Sequence, residues 1–168
     1  MSVKFDVQMT DKYMFDFLMY HTYSHMSGIL TGVLGVVTLW VGVSRILEGN
    51  VTGAMPMLLV AIFFLIMNPM TTKNTAKAQV KKTPAFQKPL EYEFTEEGVY
   101  VRQDESEVLT KWEDFSKAVS TQKSVLLYTS KKMAWILPKA CMGEQYEATL
   151  KMIHTHMPAK KVKIRHIH

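Results

Sequence analysis

The 168-residue chain leaves room for one modest folded domain beside any membrane segment, and its formal net charge is +5. Acidic and basic side chains nearly balance after residue 90, and basic clusters lie at residues 73–88 and 160–165. No nucleic-acid recognition motif and no basic stripe interleaved with aromatics occurs, so the sequence argues against a nucleic-acid partner. The single cysteine, Cys141, excludes an intrachain disulfide and is typical of a cytoplasmic location.

Residues 1–26 predict a strand followed by an amphipathic helix. Residues 2–8 alternate between apolar and polar side chains, with Val3 and Phe5 on the apolar side, as in a half-buried strand. Thr10 is the predicted N-cap of a helix over residues 11–25. We expect the aromatic face of this helix to lie at a membrane interface.

Two apolar segments then predict a transmembrane helical hairpin over residues 27–71. Residues 28–47 carry one charge, close to the end, and residues 51–70 carry none. About 20 apolar residues in a helix span the hydrocarbon core of a bilayer, which is roughly 30 Å thick. A core helix of a soluble protein would instead show a polar stripe, and neither segment does. Only Glu48-Gly49-Asn50 connects the segments, so the helices must be antiparallel neighbours.

Small residues recur along the predicted membrane helices, where they let two helix backbones approach closely. This pattern favours packing of the two hairpin helices against each other, with a homodimer face as the alternative. The predicted helix-packing residues are Gly28, Gly32, Gly35, Gly42, Gly53 and Ala61.

A basic linker is predicted over residues 72–89, after an expected helix end at Asn68-Pro69. Its lysines come without any acidic residue, so the positive-inside tendency puts both ends of the chain in the cytoplasm. Lysines beside a membrane also attract anionic headgroups, by about 1 kcal/mol each near the surface. The basic residues predicted to bind lipid headgroups or a partner are Lys73, Lys77, Lys81, Lys82, Lys139, Lys160, Lys161 and Lys163.

The segment over residues 90–158 predicts an α+β cytoplasmic domain, followed by a basic tail over residues 159–168. Six short strands indicate a bent antiparallel sheet or small barrel, and residues 143–156 form an amphipathic helix. Because six strands leave exposed edges, we expect the strand at residues 2–8 to pair with this sheet. Seven strands and one C-terminal helix match a pleckstrin-homology-like (PH-like) domain. The six strands are predicted at residues 91–95, 99–103, 107–112, 115–121, 124–129 and 133–137.

No residue pattern predicts a catalytic, cofactor-binding or metal-binding site. Cys141 follows an apolar stretch and is predicted as a small core or loop residue rather than a nucleophile. His21 and His25 have the i, i+4 spacing of some metal-binding pairs, but no Glu or Cys completes a ligand set nearby.

The order of several short motifs resembles the YcxB-like family of bacterial membrane proteins. The motifs are Thr10-Asp11-x-Tyr13, Tyr20-His21, Tyr92-x-Phe94-Thr95-x-x-Gly98, Trp112, Tyr128 and Ile136-x-Pro138-Lys139. This resemblance extends over nearly the whole chain. It implies a bacterial inner-membrane protein with a cytoplasmic, PH-like domain, and it implies no catalytic site.

The chemistry of the individual motif residues leads to a separate structural prediction for each. Gly98 fits a turn that needs a positive φ, and Trp112 is predicted as a core or interfacial anchor. Pro138 is expected to stop the last strand. For Lys139, a structural role is weighed against contact with a phosphate near the membrane.

Three functional classes remain open on the sequence. The favoured one is a membrane-tethered, non-catalytic module that presents its cytoplasmic domain to a protein partner or to anionic lipid headgroups. The alternative is an immunity or regulatory membrane protein that neutralises a membrane-acting toxin. An enzyme is disfavoured because no paired-carboxylate motif, Gly-rich phosphate loop or triad is recognisable. Membrane lipids, an unknown protein partner and a homo-oligomer are the expected associations.

Overall fold

A computed structural model describes residues 2–131 and 133–164; the outer part of the predicted basic tail, residues 165–168, lies outside this range. The chain divides into two units. Leu18–Ala76 form one unit, and the other combines the chain up to Phe17 with the chain from Lys77 onward.

The order of elements follows the predicted order closely. Each predicted strand is present within two residues of its expected bounds, and the parallel strand β8 is an addition that the sequence did not predict. The elements are β1 (Val3–Val7), α1 (Asp11–Tyr23), α2 (Met26–Leu47), α3 (Val51–Lys82), β2 (Leu90–Phe94), β3 (Gly98–Gln103), β4 (Ser106–Lys111), β5 (Lys117–Ser120), β6 (Ser124–Tyr128), β7 (Ala134–Pro138), α4 (Tyr146–His156) and β8 (Val162–Lys163).

Two helices, α2 and α3, are long and apolar enough to cross a membrane, at 22 and 32 residues. Only 17% and 11% of their most apolar windows are buried inside the protein, whereas the core helix of a soluble protein would be mostly buried. The turn between them places Gly49 at a φ of 76°, and the Asn50 side chain accepts a hydrogen bond from the Gly53 N–H to cap α3. The predicted helical hairpin is therefore present.

Helix α3 continues past Asn68-Pro69, so the predicted helix end at this dipeptide is wrong. A π-helical turn at Phe63–Met67 lies directly before it. In a regular α-helix, proline cannot donate a hydrogen bond to the carbonyl four residues earlier, and its ring clashes with that carbonyl. In the wider π turn, the N–H groups bond to carbonyls five residues earlier, so the hydrogen-bond pattern before the proline differs from that of an α-helix. The proline is accommodated, and residues 72–82 of the predicted linker are helical.

Two four-stranded sheets make up most of the larger unit. The first has the order β1-β2-β3-β4 and is antiparallel throughout. In it, β1 pairs with β2 in the register Val3↔Phe94 and Val7↔Leu90. The predicted pairing of the N-terminal strand with the C-terminal sheet is thus confirmed. In the second sheet, of order β7-β6-β5-β8, only the short strand β8 runs parallel to its neighbour β5.

The hydrophobic core joins one face of each sheet to the apolar face of α4. Alternation along β1 points Val3, Phe5 and Val7 inward, as the sequence predicted. Helix α4 contributes Leu150 and Ile153 to the same cluster. A helical hairpin together with an α+β domain is therefore the observed fold class.

The second sheet is buried on its other face too, because all five residues of β6 are buried. The first half of α1 packs there: the Phe17 ring lies 6.2 Å from the Tyr128 ring, and the Thr121 hydroxyl donates a hydrogen bond to the Asp16 carboxylate. The helix begins at Asp11 as predicted. Thr10 holds the predicted N-cap position, since its carbonyl accepts a hydrogen bond from the Met14 N–H over 3.1 Å. Its hydroxyl is buried without a hydrogen-bond partner among the described residues, so the side chain makes no capping bond.

Candidate functional site

The C-terminal end of α3 presents exposed lysines. Lys77, Lys81 and Lys82, here named the basic helix end, are all exposed, and the four-residue spacing of Lys77 and Lys81 puts them on one side of the helix. The next acidic residue along the chain is Glu91. Lys73 is also exposed, one turn earlier on α3. This surface concentrates positive charge with no carboxylate on the same helix.

Side-chain hydrogen bonds fix the chain that follows the basic helix end. The Gln87 amide donates to the Val80 carbonyl over 2.5 Å. On the other side, the Gln8 amide donates to the Phe86 carbonyl over 3.0 Å. The segment after α3 is therefore tied both to the helix and to the residue that follows β1.

The other predicted basic residues lie on different elements. The Lys139 ammonium donates to the Thr121 carbonyl over 2.8 Å, and the Lys161 ammonium donates to the Phe115 carbonyl over 2.9 Å. Both side chains hold neighbouring segments together. Lys160 and Lys163 are exposed, with Lys163 in β8. Pro138 ends β7, as predicted.

The predicted helix-packing residues divide into two groups. Gly35 and Gly42 are buried where α2 meets α3, since a Cβ on them would lie 2.9 Å and 2.8 Å from side-chain atoms of Leu65 and Leu58. Ala61 is likewise buried on α3.

The other three glycines have different neighbours. A Cβ on Gly28 would overlap the Thr22 carbonyl oxygen at the end of α1, and the nearest atom to one on Gly32 belongs to Tyr23, at 3.6 Å. Gly53 serves the Asn50 cap.

A cleft beside the end of α4 was not predicted from the sequence. The His156 ring stacks on Trp112 with centroids 5.1 Å apart, and its Nε2 lies 3.1 Å from a Glu96 carboxylate oxygen. Trp112 and His156 are separated by 44 positions in the sequence, and no local sequence pattern predicts a contact between them. The cleft is lined by Glu96, Glu97, Lys111, Trp112, Glu113, His156, Pro158 and Lys161.

The outer face of the first sheet carries a charge network centred on Arg102. Its guanidinium contacts the carboxylates of Glu91, Glu93 and Glu107, and Lys4 pairs with Glu93 over 3.1 Å. The hydrogen bond that Arg102 donates to the Glu93 carboxylate is the largest cause both of the lowered pKa of Glu93 and of the raised pKa of Arg102. Carboxylates outnumber cations in this network, so the face is acidic.

Within residues 2–131 and 133–164, no group of three or more His, Cys, Asp or Glu side chains is arranged to hold a metal ion. His21 and His25 do approach each other, with ring centroids 4.6 Å apart, and the His25 Nδ1 lies 2.6 Å from the His21 carbonyl oxygen. Cys141 packs against the hydrophobic core, and burial with a contact from Cys141 raises the pKa of Tyr13.

The motif residues that carried the family resemblance lie mainly in strands and turns. The Trp112 side chain is 7% exposed, and its indole N–H donates to the Thr95 carbonyl over 2.9 Å, which confirms its prediction as a core anchor. Tyr92 and Tyr128 are fully buried.

Residues 94–153 match the family model described as YcxB-like protein. The YcxB-like match begins at the last residue of β2 and ends within α4, so it covers strands β3 to β7 and leaves out β1, the hairpin and β8. It confirms the predicted resemblance over this segment. No curated protein and no solved structure matches the chain.

The predicted positive φ of Gly98, which lies within the matched segment, is wrong. Gly98 has no positive φ, which is found instead at Gly49 and Gly143. A Cβ on Gly98 would overlap the Thr110 carbonyl oxygen, so glycine is required by the close approach of β3 to β4.

Proposed function

We propose that this chain is a bacterial inner-membrane protein whose cytoplasmic domain is a non-catalytic, PH-like module for anionic lipid headgroups. The α2–α3 hairpin anchors it, and both ends of the chain lie in the cytoplasm. The hydropathy and length of the two helices support the anchoring, and the lysines after α3 support the orientation.

The PH-like assignment is supported by the strand inventory. Strands β1–β7 fall into two antiparallel groups, and α4 follows them along the chain and packs on the shared core. The membrane hairpin is inserted between β1 and β2. A fold analogy of this kind supports the architecture and leaves the ligand to be argued from surface chemistry.

The ligand proposal rests on one observation: Lys77, Lys81 and Lys82 are exposed on a helix that has no acidic residue and continues from an apolar segment. Lysine ammonium groups near a bilayer surface attract anionic headgroups. The acidic face around Arg102 is unsuited to the same surface, because like charges repel. The basic helix end is therefore the surface that we assign to the headgroups.

Lipid binding is tested on the full chain in lipid nanodiscs that contain phosphatidylcholine and a minor fraction of phosphatidylglycerol. The readout is the phosphatidylglycerol retained by the protein, measured by mass spectrometry after extraction. The variant is Lys77→Gln/Lys81→Gln/Lys82→Gln. Each lysine contributes about 1 kcal/mol near the surface, so the variant should bind phosphatidylglycerol at least about tenfold more weakly.

The matched control is Lys123→Gln/Lys131→Gln/Lys151→Gln, which removes the same charge from three exposed lysines elsewhere. Its phosphatidylglycerol retention should equal that of the wild type. Equal losses in both variants would mean that net charge alone attracts the lipid, and the proposed site would then be wrong.

A further inference from the structure

Strand β4 forms an edge of the first sheet, whose order is β1-β2-β3-β4. It pairs with β3 on one side, and no other strand of the described chain pairs with it. An uncovered edge presents backbone N–H and C=O groups that readily pair with another extended strand. Because β4 runs over six residues, Ser106–Lys111, its free edge is long enough to pair through several backbone hydrogen bonds.

The hydrogen bonding of Gly98 shows which residues of β4 point their backbone groups toward the free edge. The Gly98 carbonyl accepts the Thr95 N–H over 2.9 Å, so it faces β2 and not β4. Gly98 is opposite Lys111 in the register, and opposed residues of an antiparallel pair alternate between hydrogen-bonded and non-hydrogen-bonded pairs. The backbone groups of Lys111 therefore point to the free edge, as do those of Leu109 and Glu107.

An apolar side chain of β4 is left uncovered at this edge. Val108 is opposite Val101, whose side chain is buried in the hydrophobic core, and opposed residues share one face of a sheet. Val108 is nevertheless 51% exposed, so the core leaves its outer side uncovered. A strand added along the free edge of β4 would cover this side chain.

One antiparallel register makes β4 complementary to a second copy of itself. When Leu109 lies opposite Leu109 of the second copy, Glu107 lies opposite the second copy's Lys111, and Lys111 lies opposite its Glu107. All three residues point their backbone groups at the other strand, so this register forms about six backbone hydrogen bonds. A shift by two residues in either direction leaves fewer such pairs.

The charges on β4 favour the same register. Glu107 and Lys111 are exposed, and the Arg102 guanidinium contacts the Glu107 carboxylate, which keeps it on the outer face of the sheet. The register places two carboxylate–ammonium pairs across the interface, whereas a shift by two residues in one direction places Glu107 opposite Glu113. Opposite charges directly across two strands stabilise their pairing, and like charges destabilise it.

We propose that the free edge of β4 is the interface of a symmetric homodimer, in which antiparallel β4 strands join the first sheets of two copies into one continuous sheet. The interface is isologous, because each copy contributes the same strand. Backbone hydrogen bonds hold the two strands together, and the pairs between Glu107 and Lys111 select the register. This interface is separate from the lipid surface assigned to α3.

Charge reversal on the detergent-solubilised full chain tests the interface. The readout is the dissociation constant of the dimer, measured by sedimentation equilibrium in a density-matched detergent solution. Glu107→Lys and Lys111→Glu each place like charges opposite one another at both pairs, so each variant should dimerise at least about tenfold more weakly than the wild type. The controls Glu147→Lys and Lys151→Glu change the net charge equally at exposed positions of α4 and should dimerise like the wild type.

An equimolar mixture of Glu107→Lys and Lys111→Glu is the decisive sample. One copy of each variant restores opposite charges at both pairs, so the mixture should dimerise about as tightly as the wild type. Effects of either variant on the Arg102 network or on the carboxylates of the neighbouring cleft act within one copy, and mixing does not reverse them. A mixture that dimerises no better than its components would overturn the proposal, as would single variants that match their controls. A wild type that stays monomeric at every concentration would leave this edge to another protein and would also overturn the proposal.

Hydrogen exchange on the wild type gives a second test that needs no variant. Raising the protein concentration through the dissociation constant should slow exchange of the Glu107, Leu109 and Lys111 amides, which point to the free edge. The Val108 and Thr110 amides face β3 and should be protected at both concentrations. Unchanged exchange at the three outward amides would contradict pairing of β4 with a second copy.

Discussion

Thr95, Gly98 and Trp112 form one connected group at the end of the first sheet. The Thr95 N–H donates to the Gly98 carbonyl over 2.9 Å, and the Thr95 carbonyl accepts the indole N–H of Trp112. Gly98 in turn lets β4 approach β3 closely. These residues carried the family resemblance, and their contacts show that they stabilise the strand connections.

Replacing Gly98 with alanine should destabilise the domain. The new Cβ overlaps the Thr110 carbonyl oxygen, a backbone atom that moves only if the strand pair shifts. Overpacking of this kind costs about 1–3 kcal/mol. Thermal unfolding of the detergent-solubilised protein, followed by tryptophan fluorescence, should show a lower midpoint. Ser106→Ala, at an exposed site at the other end of the β3–β4 pair, should leave the midpoint unchanged.

The Glu93 carboxylate should make the domain sensitive to acid. Arg102 lowers the pKa of Glu93 below its ordinary value of 4.5 in the folded protein. The ionised carboxylate therefore stabilises the fold above pH 4.5, and this contribution is lost as the pH falls through the folded pKa. Chemical unfolding from pH 7 to pH 3 should show a smaller loss of stability for Glu93→Gln than for the wild type. Parallel losses in the two proteins would contradict this role.

At the scale of elements, the helix α1 belongs to the folded domain along its first half. Phe17 packs on Tyr128, and Asp16 accepts a hydrogen bond from Thr121. The Thr121 carbonyl also receives the Lys139 ammonium, so one residue connects α1, β5 and the end of β7. The expected position of α1 at a membrane interface stays a prediction, and only its second half lies outside this packing.

Alanine substitutions along α2 should separate the roles of its glycines. Gly42→Ala places a methyl group 2.8 Å from Leu58 on the facing helix, whereas Gly32→Ala meets its nearest atom at 3.6 Å, an ordinary contact. We expect Gly42→Ala to lower the temperature at which the detergent-solubilised protein aggregates, because close helix packing supplies much of the stability in lipid-like surroundings. Gly32→Ala is the matched control. The opposite ranking would favour a second copy packing at Gly32.

The sequence predicted the elements whose patterns are local. The alternation of apolar and polar residues predicted β1, because only one face of this strand is buried. The long apolar runs predicted the two helices of the hairpin, because a run of this length shows in the sequence itself. The continuation of α3 past Pro69 was not predicted, because a π turn has no recognisable pattern in the sequence. Strand β8 was missed because two residues are too few to show alternation. The cleft at Trp112 and His156 was not predicted either, because it forms between segments that are far apart in the sequence.

At the scale of the whole molecule, one sheet is assembled from chain segments that precede and follow the helical hairpin. Phe5 in β1 stacks between Tyr92 and Phe94 of β2, with ring centroids 5.9 Å and 5.7 Å apart. Its side chain is 8% exposed. The first strand therefore contributes to the core of a domain whose remaining strands come after residue 89.

Phe5→Asp should destabilise this domain severely. An uncompensated carboxylate would replace a stacked aromatic ring on the buried face of β1, at a cost of more than about 3 kcal/mol. Limited proteolysis of the solubilised protein should cleave the variant faster within residues 90–164. The neighbouring exposed substitution Asp6→Asn should leave the cleavage rate unchanged. Equal resistance of Phe5→Asp and the wild type would contradict the importance of this pairing.

The pairing of β1 with β2 also dictates an order of events during synthesis. Val7 leaves the ribosome long before its partner Leu90. At about 5–20 residues per second, the roughly 80 intervening residues take on the order of 4–16 s to translate. Throughout that interval the apolar side of β1 has no sheet to join. Completion of the domain therefore waits until both helices of the hairpin have been made, and a chain that stops before β2 leaves Val3, Phe5 and Val7 accessible to chaperones and proteases.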